Sequence, residues 1–295
     1  MAIKALSILI PTYNDLCVKL VGDLRQQAET VGVMYEILVG DDGSTDATVV
    51  AKNKEIAQWQ HCQYLLQPQN IGRAAIRNFL AREAHYDWLL FIDSDMTIVR
   101  PDFINNYVSL DDADVIDGGV SIGGDAGILK GNLRYLYEKT SEHEHTLEMR
   151  QKNPYQDFHT ANFMIRRDLM RSHAFDERFR YYGYEDVFFG KTLKADGIMI
   201  THIDNPLGFN TFEDNPSFVA KTEEGLRTLH HFQNELRGYS RLLTFVGGIH
   251  IPVILFFIRC WHRLFGKWER RNLCGGQPYL RLFSLYKLGY YLTIK

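Results

Sequence analysis

Only four cysteines are spread over the 295 residues: Cys17, Cys62, Cys260 and Cys274. Their spacing offers neither a metal-ligand pair nor a disulfide framework, so they read as reduced thiols of a cytosolic protein. Internal repeats and low-complexity segments are absent. The apolar segment at the amino terminus is interrupted at Pro11-Thr12-Tyr13-Asn14, too soon for a signal peptide, and reads as a first strand. The uncharged run from Leu242 to Ile258 holds 17 residues, among them Gly247, Gly248, His250 and Pro252. A spanning helix needs about 20 apolar residues, so a membrane span is marginal. Net charge is also scarce, at −3 overall, but it is unevenly placed. From Arg237 onward there are ten Lys/Arg and one acid, Glu269, a net of +9 that leaves −12 over residues 1–236. Such asymmetry points to an anionic partner for the tail.

What is present in quantity is apolar residue, 45% of the chain, enough for a sizeable core. Trp88-Leu89-Leu90-Phe91-Ile92 is too short for a helix and apolar throughout, the pattern of a strand buried on both faces. It ends in Asp93-Ser94-Asp95. In open parallel sheets ligands sit beyond the carboxyl ends of strands, which places Asp93 and Asp95 where the core meets a ligand. Side chains at i and i+2 share a side of a strand. Two carboxylates so placed repel each other unless a cation lies beside them, and a hard ion, Mn2+ or Mg2+, suits oxygen donors. An Asp-rich turn without ligand is the alternative reading.

The rest of the chain alternates strand and helix. Strands are expected at 5–10, 35–40, 62–66, 88–92, 114–122, 162–165 and 198–202. Helices are expected at 15–31, 47–58, 73–84, after Pro101, within 127–153, from the Glu185-Asp186 pair to about 194, and at 218–236. Asp46 and its Ser/Thr neighbours are placed to cap a helix. Gly118-Gly119 permits close approach of backbone or ligand. His143 and His145, among acids, read as a solvated helix face. The alternation argues for an α/β fold, a doubly wound and mostly parallel sheet flanked by helices.

Five features occur in order: Pro11-Thr12-Tyr13-Asn14, Asp41-Asp42-Gly43-Ser44-Thr45-Asp46, Asn70-Ile71-Gly72 with Arg77-Asn78, Asp93-Ser94-Asp95, and Tyr184-Glu185-Asp186. Together they resemble the family 2 glycosyltransferases, with their Rossmann-like GT-A fold, over roughly residues 5–236. The resemblance implies inverting transfer of a sugar from a nucleotide diphosphate sugar to an acceptor hydroxyl. It implies that Pro11, Thr12 and Tyr13 wall the base and ribose. Asp42 would accept from a uracil-type N–H, which favours UDP, with Asp41 supporting the turn. Gly72 would let backbone approach the nucleotide. Arg73 or Arg77 would offset phosphate charge or pair with Asp93, and both readings stay open. Asp95 would ligate the metal, with Asp93 and Ser94 at the ribose or the metal's outer shell. Asp186 would be the general base and Glu185 would hydrogen-bond the acceptor; acids at a helix start are the competing reading. Two departures stand out. The position where the family carries a metal-binding His reads Phe209-Asn210, leaving His202 as the candidate ligand. Lys191 stands where an Arg is usual, and Lys cannot make the planar two-point contact of Arg.

The expected domains are 1–236, the GT-A domain, and 237–295, a basic and aromatic helical extension. In the extension Trp261, Phe265, Trp268, Tyr279, Phe283, Tyr286, Tyr290 and Tyr291 alternate with basic residues, as at a membrane interface. The expectation is peripheral attachment to the inner, cytoplasmic face of the cell membrane, with a saccharide or lipid-linked saccharide of surface polysaccharide synthesis as acceptor. A helical subdomain packed on the GT-A domain is the alternative. No nucleic-acid partner is expected. A nucleotidyltransferase, a glycoside hydrolase and a non-catalytic nucleotide-sugar-binding protein are the rival functions.

Overall fold

A computed structural model describes residues 3–110, 113–249 and 252–294; His250 and Lys295 of the tail lie outside them. In chain order the elements are β1 (Ala5–Thr12), α1 (Val18–Val31), β2 (Met34–Asp41), α2 (Ala47–Asn53), β3 (Cys62–Leu66), α3 (Arg73–Glu83), β4 (Trp88–Ile92), β5 (Met96–Ile98), α4 (Phe103–Val108), β6 (Val115–Asp117) and β7 (Val120–Ile122). Then come α5 (Leu133–Ser141), α6 (Leu147–Lys152), β8 (Asn162–Arg166), α7 (Arg167–Ser172), α8 (Glu185–Ala195), β9 (Ile200–His202), β10 (Leu207–Phe209), α9 (Asn215–His231), α10 (Arg241–Gly248), α11 (Pro252–Leu273) and α12 (Leu280–Thr293). The main sheet has the order β3-β2-β1-β4-β8-β6-β9. Within it β8 alone runs antiparallel to both neighbours. β5, β10 and β7 form a second, three-stranded sheet.

The alternation expected of doubly covered strands is met residue by residue. Ile8, Ile37, Val39, Leu90 and Ile92 pack into the core on one face of the sheet, while Leu9, Leu38, Leu89 and Phe91 pack on the other. Phe91 stacks on Phe163 of β8 at 4.8 Å. Each such fully buried side chain contributes about 1.5–3 kcal/mol. Asp46 caps α2 by accepting from the backbone N–H of Thr48 and Val49, as its position suggested.

Residues 114–122 are not one strand. Gly118 and Gly119 break the run, and β6 and β7 go to different sheets. A Cβ on Gly118 would lie 2.4 Å from the Asn162 amide and the Tyr107 hydroxyl; one on Gly119, at φ +81°, would lie 2.5 Å from the Arg150 guanidinium. The close approach those glycines permit is therefore by protein. β5 and β10, three residues each, are too short to carry a periodic signal, and both lie outside the expected strands.

The uncharged run 242–258 is divided between α10 and α11, which end and begin on either side of residues 250–251. Among the described residues no helix is long and apolar enough to cross a membrane. The aromatic tail splits in two. Phe283, Tyr286 and Tyr291 of α12 are buried against α9 and α11, as the packed-subdomain alternative required. Phe245, Phe256, Phe257, Leu264, Phe265 and Trp268 remain exposed on α10 and α11. Glu269, the lone acid of the tail, is wholly buried. It accepts from Trp261 Nε1 and pairs with His262 Nδ1, both at 2.8 Å.

Candidate active site

Parallel pairing brings three strand ends side by side. Thr12 is in register with Asp41, and Leu9 with Phe91, so Pro11-Thr12, Asp41-Asp42 and Asp93 emerge along one edge. The loops beyond are tied together. Asn14, in the left-handed region at φ 53°, accepts through Oδ1 from the N–H of Thr45 and Asp46, and its own N–H donates to Ser44 Oγ. Asp41 accepts from Ser44 N–H at 2.7 Å and from the Tyr64 hydroxyl, which is the turn-supporting contact expected of it. Asp42 is buried, and its two oxygens accept from the N–H of Ile71 and Gly72 at 2.7 and 3.1 Å. Burial pushes its pKa up, against the pull of those two N–H groups. Each oxygen keeps a second lone-pair direction for a ligand. Gly72 has φ +98°, and a Cβ there would meet the Arg180 carbonyl at 2.8 Å, so its missing side chain makes room for protein backbone. Tyr13 is exposed.

A cleft of about 270 Å³ opens at the end of β4. It brings together Asp93, Asp95, Arg73, Glu185 and Asp186, residues separated by up to 113 positions in the chain. Arg77 is 2% exposed and donates to Asp93 Oδ1 at 2.6 Å, so it is the structural partner of Asp93, a choice that stayed open in the sequence. Arg73 and Arg77 approach Glu185 Oε1 at 3.6 and 3.7 Å. Arg73 lies over the Tyr182 ring at 4.8 Å. Glu185 is 4% exposed, and its Oε2 has no hydrogen-bond partner among the described residues. Burial raises its pKa, with Arg73 acting in opposition. Asp186 responds differently. Burial alone would raise its pKa, but His159 at its side holds it below the usual carboxylate range. Tyr184, in the left-handed region at φ 71°, turns the chain into α8, and the first turn of that helix delivers both acids to the cleft.

Asp95 has no hydrogen-bonding or ionic partner from the described residues. The dense surround and the neighbouring Asp93 carboxylate push it up to about 6. A carboxylate destabilised in this way, open to the cleft and lacking a protein cation of its own, is chemically suited to a divalent ion. Hard cations are commonly held by one or two carboxylates with the remainder from substrate phosphate and water. Among the described residues no group of three His, Cys, Asp or Glu comes together as a metal site. The expectation that His202 supplies a second ligand is corrected. Arg150 donates to its Nδ1 at 3.1 Å, Asp117 lies 3.2 Å from the same atom, and Nε2 contacts the Pro154 carbonyl at 2.9 Å. Both ring nitrogens are spent on a buried knot, and His202 does not line the cleft that holds Asp95. Lys191 reaches the Glu235 carbonyl, a tie between α8 and the chain beyond α9, away from phosphate chemistry. Ser94 sits in the turn between β4 and β5.

Arg134 and Arg150 of the cleft were not singled out from the sequence, and its His145 and His159 were given no catalytic part there. Arg150 is buried and ties Asp117, Gly118 and Ile203 together. Arg134 pairs with Glu138 at 2.9 Å and lies against Phe209 and Phe218. His159 and His145 face each other. His143 is exposed, as a solvated helix face requires, but His145 turns into the cleft, which corrects that half of the reading. No local pattern marks these residues, because their partners come from distant segments.

A family model described as Glycosyl transferase family 2 matches residues 7–173. An uncharacterized glycosyltransferase of Haemophilus influenzae is 32% identical over 109 residues, covering 36% of this chain and 40% of that protein. The chondroitin synthase of Pasteurella multocida strain Pm70 is 26% identical over 239 residues, covering 70% of this chain and 24% of the synthase. The validoxylamine A glucosyltransferase of Streptomyces hygroscopicus subsp. limoneus is 27% identical over 231 residues, covering 68% and 50%. This chain thus spans no more than half the length of these relatives. Among solved structures, S. aureus TarS superposes with a TM-score of 0.51 at 17% identity, over 98% of this chain and 54% of TarS. The mannosyltransferase PcManGT from Pyrobaculum calidifontis, in complex with GDP-Man and Mn2+, gives 0.51 at 14% identity, over 96% and 86%. At such identities the structural likeness speaks for the fold: a mostly parallel sheet flanked by helices.

Proposed function

The chain belongs to glycosyl transferase family 2, and from that premise we propose that it is an inverting, metal-dependent glycosyltransferase using a UDP-sugar. The observation that carries the reading is the meeting of Asp95 with Glu185 and Asp186 in one cleft. A nucleotidyltransferase has use for the first and none for the other two. In this reading Pro11, Thr12, Tyr13 and Asp42 hold the nucleotide, on loops that Asp41 and Gly72 shape. Asp95 would hold a divalent cation, Mn2+ or Mg2+, beside Asp93 and Ser94. When bound, such an ion supplies Lewis-acid neutralisation of the departing diphosphate. Glu185, its Oε2 without a hydrogen-bond partner among the described residues, accepts from a hydroxyl of the acceptor. Asp186 takes the proton of the attacking hydroxyl as general base. Its depressed pKa keeps it ionised and ready at neutral pH. Attack on the face opposite the nucleotide inverts the anomeric centre. Arg73 and Arg77 keep the acidic cleft from repelling its anionic donor.

The donor site is tested by thermal shift with UDP-, GDP- and CMP-sugars, each with Mn2+ and with chelator. A ligand that binds the folded state alone raises the midpoint by RT ln(1 + [L]/Kd), about 2.7 kcal/mol at a hundred times Kd. The expected result is a metal-dependent rise with a UDP-sugar that Asp95→Ala removes. Equal UDP affinity with and without metal in both proteins counts against the assignment.

We assign residues 1–236 to the transferase domain and 237–295 to an extension that lies on the cytoplasmic face of the cell membrane, bringing the site to a lipid-linked saccharide. Support comes from the exposed apolar side chains of α10 and α11 beside a net tail charge of +9, a pairing suited to anionic lipid. Deleting the tail would uncover the face of α9 that α12 buries, so point changes give the sharper test. The double substitution Phe256→Glu and Phe257→Glu is expected to cut flotation with vesicles containing phosphatidylserine or phosphatidylglycerol at least tenfold. Unaltered flotation would remove the membrane assignment.

A further inference from the structure

His159 is held on the short segment between α6 and β8, anchored by Phe158 among Phe163 and Phe189. Its Nδ1 lies 3.9 Å from Asp186 Oδ2. The other oxygen of Asp186, Oδ1, accepts the N–H of Val187 at 2.7 Å. The carboxylate is thereby fixed by its own helix on one side and faces an imidazole on the other. The second nitrogen of that imidazole, Nε2, lies 3.4 Å from Nδ1 of His145, with the two rings edge to face at 5.0 Å. The result is a three-membered row, Asp186–His159–His145, along the wall of the cleft. Loose spacing of this kind is normal in an unliganded catalytic site and tightens with substrate.

We propose that His159, backed by His145, is the positioning partner of Asp186, an imidazolium that orients the carboxylate and holds it ionised. The inference rests on the reading of Asp186 as base. At rest Asp186 is a carboxylate, His159 an imidazolium and His145 a neutral ring that accepts from His159 Nε2–H. The surrounding charges support this assignment. Around His159, burial disfavours the charged ring, but Asp186, with Asp117 and Glu138 further off, raises its pKa. Around His145, burial and the facing His159 push the pKa down to about 4, against the pull of Asp157 and Glu144 and with a contribution from Arg241. Asp186 is next to Glu185 in the chain and lies within the field of Arg77.

During transfer the acceptor oxygen bonds to the anomeric carbon as the bond from that carbon to the diphosphate oxygen breaks. The acceptor proton passes to Asp186. Nδ1 of the imidazolium already carries a proton and stays paired with the carboxyl group, so Asp186 gives the acceptor proton up to solvent in the cleft. One proton leaves per sugar transferred, and the row returns to its resting charges. The imidazolium has a second effect, since it keeps Asp186 ionised into mildly acidic solution.

The test uses the full chain and the variants His159→Gln, His145→Asn and Asp186→Asn. Histidine Cε1–H NMR signals, assigned from the two histidine variants, are followed against pH without any substrate. His159 is expected to titrate above 6.5 in the wild type and at least one unit lower in D186N, a tenfold loss of proton affinity. His145 is expected to titrate at higher pH once H159Q removes its facing ring. UDP release is then measured with the UDP-sugar that stabilises the protein. H159Q is expected to lower kcat about 30- to 100-fold, with KM for the donor within twofold and the acidic limb of the kcat profile moved upward. A His159 midpoint that ignores D186N, or a kcat–pH profile of H159Q that superimposes on the wild type, overturns the inference. A D186N enzyme that keeps its turnover sinks the base assignment and the positioning role with it, while the titrations still report whether the ion pair exists.

Discussion

Asp186→Asn is expected to lower kcat by about 10³, within the range of 10²–10⁴ that general bases contribute, and to leave metal-dependent UDP binding intact. The substitution is isosteric, and Asn Oδ1 can still accept the N–H of Val187 as the carboxylate does, so the first turn of α8 survives. What is lost is the proton acceptor. An amide cannot take the hydroxyl proton at any working pH, so raising the pH should not restore the rate. The measurement is a pair of curves on one preparation: UDP release against donor concentration, and thermal midpoint against UDP with Mn2+. A rate within fivefold of the wild type would move the base role elsewhere in the cleft. A lost UDP response would mean that the variant perturbs the donor site and that Asp186 is not acting on the acceptor alone.

Arg77→Ala is expected to cost about 3–5 kcal/mol of folding stability, the range for removing one partner of a buried ion pair. Arg77 is 2% exposed and serves three groups at once: Asp93 at 2.6 Å, Glu185 at 3.7 Å and the ring of Phe175 at 5.8 Å. Its removal leaves Asp93 without its cation beneath a cleft that already crowds Asp95 and Glu185. The unfolding midpoint should fall by roughly 5–10 °C in a scanning experiment. Arg77→Lys should fall between, since one ammonium reaches Asp93 but cannot at the same time face Glu185 as the fork does. A midpoint within 1 °C of the wild type for Arg77→Ala would show that the pair carries no net stability. Donor binding should weaken in both variants, because Asp93 would no longer be held at the end of β4.

The elements that the sequence determined unaided are those whose signal is local. The run Trp88 to Ile92 is apolar at every position because both faces of β4 are covered, and that pattern is legible without knowing what covers them. Asp46 announces a cap through the chemistry of its own side chain. Asp93 and Asp95 could be placed at a strand end because strand ends are where an apolar run stops. Tertiary structure decided everything that depends on which distant segments meet. It gave Arg77 to Asp93 and left Arg73 free to lie over Tyr182. It took His202 away from Asp95 by filling both ring nitrogens with Arg150, Asp117 and Pro154. It split 114–122 between two sheets, since Arg150 and Asn162 need the space that Gly118 and Gly119 leave. It divided the aromatic tail into a packed half and an exposed half, although α11 and α12 are both rich in aromatic residues, because burial is set by where α9 lies. And it brought His145 and His159 to Asp186. Pairings of this kind leave no period or spacing in a chain, because the residues that make them are ordinary in their own neighbourhoods and are joined only when the sheet has formed.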